Sequence, residues 1–367
     1  MKNLTLKALL VWLIIAVFPM TAVAADTNGK KIDQIVFFGD SLSDNGNLYY
    51  YDVGTLPKSP PYFEGRFSDG PTWAEVVASH FLLNNKIPSE NYAIGGESVL
   101  KHDPSKGRWP FMLDQSLLDY FAHNFNSDKS NTLFIILIGA NDYLWGSEDP
   151  DKDTTAVTNA LEDNLKLLIK AGGKHFLLLN LPDLSVVPAA RLGGDVKTLS
   201  KLTQLHNQKL AKLAEYLQAS NTDVDVKIFD YYTTSADILA HPENYNKKYN
   251  THISNVSDAC WTGGYQLMTP KNQELKIAAS LEQAYKANPE KFKLHMHTTD
   301  VADLAHAIAN NPALSVAYLT AANAGDGLQP CADPDSYIFW DLVHPTSKGH
   351  MITGALVIDY IQANFMN

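Results

Sequence analysis

A chain of 367 residues, 45% of them hydrophobic and with a formal net charge of −11, is long and apolar enough to bury a large core and carries no basic cluster. That balance excludes the electrostatic footprint of a nucleic-acid binder. It also argues against tight docking on anionic lipid, so any membrane-surface contact is expected to be apolar and transient. The first 24 residues stand apart. Lys2 and Lys7 flank the start of an apolar run from Ala8 to Phe18, and Ala22-Val23-Ala24 fits a small-residue cleavage site. The run is shorter than the roughly 20 residues a spanning helix needs. Residues 1–24 are therefore expected to be a signal peptide, and the remainder, 25–367, a single exported domain, periplasmic or secreted.

Taken in chain order, short apolar runs alternate with amphipathic ones, the pattern of a parallel sheet covered on both faces. The apolar runs predict strands at Gln34 to Phe38, Glu90 to Ile94, Thr132 to Ile138, His175 to Asn180 and Val226 to Asp230. The runs between them predict helices at Thr72 to Leu83, Met112 to Phe121, Thr155 to Ala171 and Thr198 to Leu217. A last helix is expected after His344, with Pro345 in its first turn because proline has a fixed φ and no amide to donate. The stretch 240–335 interrupts the alternation and reads as an insertion, with helix-like pieces at Gln273 to Tyr285 and Val301 to Ala309. It carries both cysteines, Cys260 and Cys331. In an oxidising compartment two such cysteines are expected to pair, closing a loop worth roughly 4 kcal/mol in the chain-entropy model. The insertion reads either as a lid over a site or as a decoration away from it.

Chemistry gathers at the ends of the predicted strands. Ser41 follows the first strand in Gly39-Asp-Ser-Leu-Ser43, the Gly95-Gly96 pair follows the second, and Asn141 follows the third; in open α/β sheets ligands collect at that edge. A serine hydroxyl is a poor nucleophile near neutral pH and needs a base. Only His306 and His344 have an aspartate three residues earlier. His306 with Asp303 lies inside a helix-like run, which leaves His344, oriented by Asp341, as the better base for Ser41. Tyr49, Tyr50, Tyr51, Tyr62, Phe63, Phe67 and Trp73 form an aromatic-rich segment that could line an acyl groove, pack as core, or divide between the two. His295 and His297 lack a third ligand or a motif of known spacing, so no metal is expected, and Pro182-Asp183 has no expected catalytic part.

Four segments together resemble the GDSL hydrolases, also called the SGNH family. They are Gly-Asp-Ser-Leu-Ser-Asp-Asn-Gly-Asn at 39–47, Asn-Tyr-Ala-Ile-Gly-Gly-Glu at 91–97, Gly-Ala-Asn-Asp at 139–142 and Asp-Leu-Val-His-Pro-Thr at 341–346. Ser-Pro-Pro-Tyr-Phe-Glu-Gly-Arg-Phe-Ser at 59–68 is similar to the secreted bacterial branch of phospholipases A, lysophospholipases and glycerophospholipid:cholesterol acyltransferases. The resemblance implies a three-layer α/β/α, flavodoxin-like fold with a central parallel sheet and a C-terminal insertion. It further implies a catalytic set of Ser41, Asp341 and His344, and an oxyanion hole from the amide of Ser41, a backbone amide of the Gly95-Gly96 turn and the side chain of Asn141. Gly96 is the family's register, with Gly95 one residue away. Asp44 and Asp142 are expected to brace these loops. The implied activity is hydrolysis of phospholipid or lysophospholipid acyl esters, with a sterol or other alcohol as a competing acceptor and no cofactor. A carbohydrate or short-chain esterase, and a non-catalytic lipid- or surface-binding module, are the competing readings.

Overall fold

A computed structural model describes residues 32–54, 56–57, 59–100, 111–143, 147–193, 195–261, 270–290, 292, 300–310 and 329–366. The expected leader at 1–24 and the His295-Met296-His297 stretch lie outside the described residues.

Five parallel strands form the central sheet: β1 (Gln34–Gly39), β2 (Ser89–Asn91), β3 (Thr132–Leu137), β4 (His175–Leu179) and β5 (Asp225–Phe229), in the order β2-β1-β3-β4-β5. This is the flavodoxin-like order. β3 and β4 are buried at every position, as sheets covered on both faces require. β2 is assigned only over Ser89, Glu90 and Asn91, but the chain stays alongside β1 beyond them: the amides of Tyr92 and Ile94 donate to the carbonyls of Phe37 and Gly39, while that of Ala93 is taken by the side chain of Asn91.

The helices that serve this sheet are α1 (Asn47–Tyr51), α2 (Trp73–Asn85), α3 (Leu113–His123), α4 (Pro150–Lys170), α5 (Pro188–Gly193) and α6 (Val196–Ser220). Right-handed crossovers dictate their faces. The step from β1 to β2 runs one way along the sheet and carries α2. The steps from β2 to β3, β3 to β4 and β4 to β5 run the other way and carry α3, α4 and α6. After β5 come α7 (Tyr231–Ala240), α8 (Pro242–Tyr249), β6 (Asn255–Ala259), α9 (Pro270–Ala287), α10 (Val301–Asn310), β7 (Tyr337–Phe339) and α11 (Ser347–Phe365). α11 packs beside α2 and completes the second helical layer. Among the described residues no helix is long and apolar enough to cross a membrane.

Pro345 is not in the first turn of α11. Thr346 caps that helix, its side chain accepting from the Gly349 amide, and a threonine supplies the acceptor that proline lacks. Pro345 instead bridges back to Phe339.

The expected insertion divides in two. β6 pairs in parallel with β7, and Ile253 with the partly buried Tyr245, Tyr249 and Val256 packs against Ile338, Phe339 and Ile352, beside the final helix. α9 and α10 pack on each other beyond Cys260, which is disulfide-bonded to Cys331. Their apolar faces, Ile277, Leu281, Leu304 and Ile308, share a core with Leu48, Tyr62, Phe67, Trp261 and Trp340.

Candidate active site

β1 ends at Gly39, and the Asp40 carbonyl takes the amides of both Ser43 and Asp44 while an Asp40 carboxylate oxygen takes that of Leu42. This tight turn sets Ser41 at the point where the strand order reverses between β1 and β3, where flavodoxin-like sheets hold their ligands. Ser41 Oγ lies 2.8 Å from His344 Nε2, and His344 Nδ1 lies 2.8 Å and 3.0 Å from the two oxygens of Asp341. Both His344 and Asp341 are fully buried. Burial by itself raises the Asp341 pKa, but the His344 charge and hydrogen bonds from His344 and the Tyr62 hydroxyl outweigh it, and the net shift is downward. An ionised Asp341 leaves Nδ1–H as donor and Nε2 as the acceptor facing the serine, the tautomer that can take the serine proton.

The three expected oxyanion groups converge on the same edge. Among the described residues the amides of Ser41 and Gly96 have no hydrogen-bond partner. The Gly95 amide is committed to Asp44 Oδ2 at 2.7 Å, so of the two glycines only Gly96 has a donor to offer. Gly96 has φ +77°, open to glycine without strain. A Cβ on Gly95 would stand 2.3 Å from the Phe67 ring. Asn141 uses one amide hydrogen to hold the Glu97 carbonyl at 2.9 Å, which orients the side chain and leaves its other hydrogen for a ligand.

Buried carboxyls brace these turns. Asp44 accepts the amides of Gly46, Asn47, Leu48 and Gly95, and Asp142 those of Val99 and Leu100. Burial pushes Asp40 and Asp44 up to about 6, Asp142 to about 7, and Glu97 well above the usual carboxylate range. Behind Asn141, Tyr143 hydroxyl lies 2.8 Å from Nδ1 of His206, whose pKa burial lowers to about 4.

The aromatic segment does not line the groove beside Ser41. Tyr62, Phe67 and Trp73 are buried in packing, Tyr50 and Phe63 are exposed, and none of the seven borders the cleft. They are recruited to hold the other end of the chain: Tyr62 donates to Asp341, the Phe67 ring lies 5.0 Å from the imidazole, and Ser68 donates to the Pro345 carbonyl. The cleft beside Ser41 is walled instead by Leu184, Val187, Ile238, Leu239, Phe339 and Val343. These come from the segments after β4 and β5 and from the ribbon, also at or near the carboxyl edge of a sheet, which is the signal that could have found them. Pro182 and Asp183 border it too. None of the described side chains of α9 or α10 does, and His306 pairs with Glu274 between those helices.

The model of the family described as GDSL-like Lipase/Acylhydrolase matches residues 35–357. The chain belongs to that family. Over 351 residues, 94% of this chain and 95% of the relative, it is 32% identical to a phosphatidylcholine-sterol acyltransferase of Aeromonas hydrophila. It is 30% identical over 191 residues to the secreted effector protein SseJ of Salmonella typhimurium, covering 51% of this chain and 44% of that one. Among solved structures, a carbohydrate acetylesterase, Est24 of Sinorhizobium meliloti, aligns at TM-score 0.37 and 17% identity over 53% of this chain and 83% of its own. As a GDSL-type serine hydrolase the protein acts on carboxylic esters, and the hydrogen-bonded Ser41, His344 and Asp341 have the geometry that such chemistry needs.

Proposed function

We propose that this protein is exported and cleaves fatty-acyl esters of phospholipids or lysophospholipids through an acyl-enzyme on Ser41, with a sterol or another alcohol able to replace water as acceptor. His344 takes the Ser41 proton as the hydroxyl attacks the ester carbonyl and returns it to the leaving alcohol, while Asp341 stabilises the imidazolium. The amides of Ser41 and Gly96 and the side chain of Asn141 receive the negative charge of the tetrahedral intermediate, each such donor contributing about 3 kcal/mol. Water or an alcohol, deprotonated by the same histidine, then releases the acyl group. Contact with the lipid surface is apolar and transient.

The observation that carries this reading is the apolar cleft opening on Ser41, bounded by Leu184, Val187, Ile238, Leu239, Phe339 and Val343. A hydrocarbon chain gains roughly 0.8 kcal/mol for each methylene it buries there, whereas a sugar would set many of its hydroxyls against these apolar side chains. The near full-length similarity to an acyltransferase acting on phosphatidylcholine and sterol supports the same substrate class. The test is to give the purified protein lysophosphatidylcholine micelles, phosphatidylcholine vesicles with and without cholesterol, and p-nitrophenyl acetate, and to identify products by mass spectrometry. Free fatty acid from the lipids, and sterol ester when cholesterol is present, is the expected result. Fast turnover of the acetate with no acyl release from any lipid would replace this reading by a short-chain or carbohydrate esterase.

A further inference from the structure

Asp341 is held from two directions. Its Oδ1 accepts the amides of Val343 and His344, both at 2.8 Å, from its own turn. Its Oδ2, 2.8 Å from His344 Nδ1, also accepts the Tyr62 hydroxyl at 2.7 Å, from a residue 279 positions earlier in the chain. Tyr62 is 2% exposed and wedged edge-on between Phe67 and Trp340, each ring 6.3 Å away.

The neighbours of Tyr62 follow the same course. Phe67 lies on the imidazole, Ser68 holds the Pro345 carbonyl, and an Asp69 carboxylate oxygen accepts the Ser347 amide. Residues 62–69 thus run along residues 341–347. Arg66 anchors the run by a two-pronged ion pair to Glu75 in the first turn of α2.

We propose that Tyr62 is a positioning residue for acyl transfer, its hydroxyl fixing the Asp341 carboxylate so that His344 stays aligned with Ser41. The proposal rests on the catalytic reading above. Short-range amides pin only Oδ1, so the angle at which Oδ2 meets Nδ1 depends on the distant phenol. The same donor draws negative charge away from the imidazole. Removing it strengthens the pull of Asp341 on a positively charged imidazole. Among the described residues, the titratable groups facing His344 besides Asp341 and Tyr62 are Asp40 from the β1 turn and His350 from α11.

The experiment uses the whole protein and a soluble short-chain ester. Tyr62→Phe is expected to lower kcat about tenfold with KM within twofold, and to move the acid limb of kcat/KM to higher pH. In an Asp341→Asn background the same change should have no further effect, because the phenol acts through the carboxylate. An equal loss in both backgrounds would reduce Tyr62 to a packing residue, and an unchanged kcat and pH profile in Tyr62→Phe would overturn the proposal. Should Asp341→Asn itself retain full turnover, the catalytic reading falls first. Replacing Tyr62 by 3-fluorotyrosine keeps the shape and strengthens the donor, so its acid limb should move to lower pH; a shift upward, or none, would overturn the proposal even if the phenylalanine variant did not fold.

Discussion

Ser41 leaves an interior strand of a five-stranded sheet, with β2 on one side and β3 on the other, whereas Asp341 and His344 leave a three-residue strand in a two-stranded ribbon. The serine side inherits its geometry from the sheet. The turns after β1, β2 and β3 lie side by side, and backbone hydrogen bonds, with Asp44 tying the first turn to the second, hold them in register. The histidine side has no such frame. β7 is short, so its direction comes from β6, from Trp261 whose amide binds the Trp340 carbonyl, from the disulfide at Cys260, and from residues 62–69. The proposed nucleophile is placed mainly by the sheet and its turns, while the proposed base across from it needs contacts from distant parts of the chain.

That contrast can be broken at either side. The largest expected effect is on the sheet side: Ser41→Ala should cut turnover by about 10⁴-fold or more while leaving the far-ultraviolet circular dichroism unchanged. Normal turnover in this variant would remove Ser41 from the mechanism. Asn141→Ala should lower kcat on the order of 100-fold, with a smaller change in KM, since it would delete one proposed donor to the intermediate. If instead KM rose and kcat held, Asn141 would be an ordinary binding group.

The ribbon side should respond in stability as well as rate. Cys260→Ser with Cys331→Ser opens a closed loop of 71 residues' separation and is expected to cost up to about 4 kcal/mol in urea unfolding. Because Trp261 backs Trp340, kcat on a short ester should also fall, by about threefold to tenfold. Full activity with reduced stability would show that the disulfide does not reach the site.

The smallest effect sharpens the sheet side. Glu97 is fully buried, with one oxygen accepting from Ser116 and the other without a partner among the described residues. Its folded pKa lies above the unfolded one, so native protein holds the proton longer. The associated stability is fully present below the unfolded pKa of 4.5 and is lost as pH rises through the folded value. Glu97→Gln cannot ionise. Its stability relative to the parent should therefore increase from pH 5 to pH 7, by at most about 1.4 kcal/mol per pH unit. A gap that stays constant with pH would mean that Glu97 is not held protonated.

Much of the sheet side was legible beforehand. Hydrophobic runs such as Thr132 to Ile138 identified its strands, and a residue placed just past a parallel strand falls at the carboxyl edge whatever follows. The Asp341-x-x-His344 spacing pointed to a base for the same reason, being local. The aromatic segment was legible as apolar but not as to where it packs, since the same side chains suit a groove or a core. The wall of the cleft was legible only as candidate segments near the strand ends, because Val187, Leu239 and Val343 come from three separate stretches that only folding brings together.

The sequence by itself determined the parallel α/β alternation and the order along it of the residues proposed as nucleophile, base and oxyanion donors, because periodicity and turn chemistry act over a few residues. The tertiary structure alone decided that Gly96 rather than Gly95 keeps its amide free among the described residues, that Tyr62 reaches Asp341, and that the described apolar faces of α9 and α10 pack in one core with Tyr62, Phe67 and Trp340. Those outcomes depend on contacts between segments tens to hundreds of residues apart, and no local pattern in the chain encodes them.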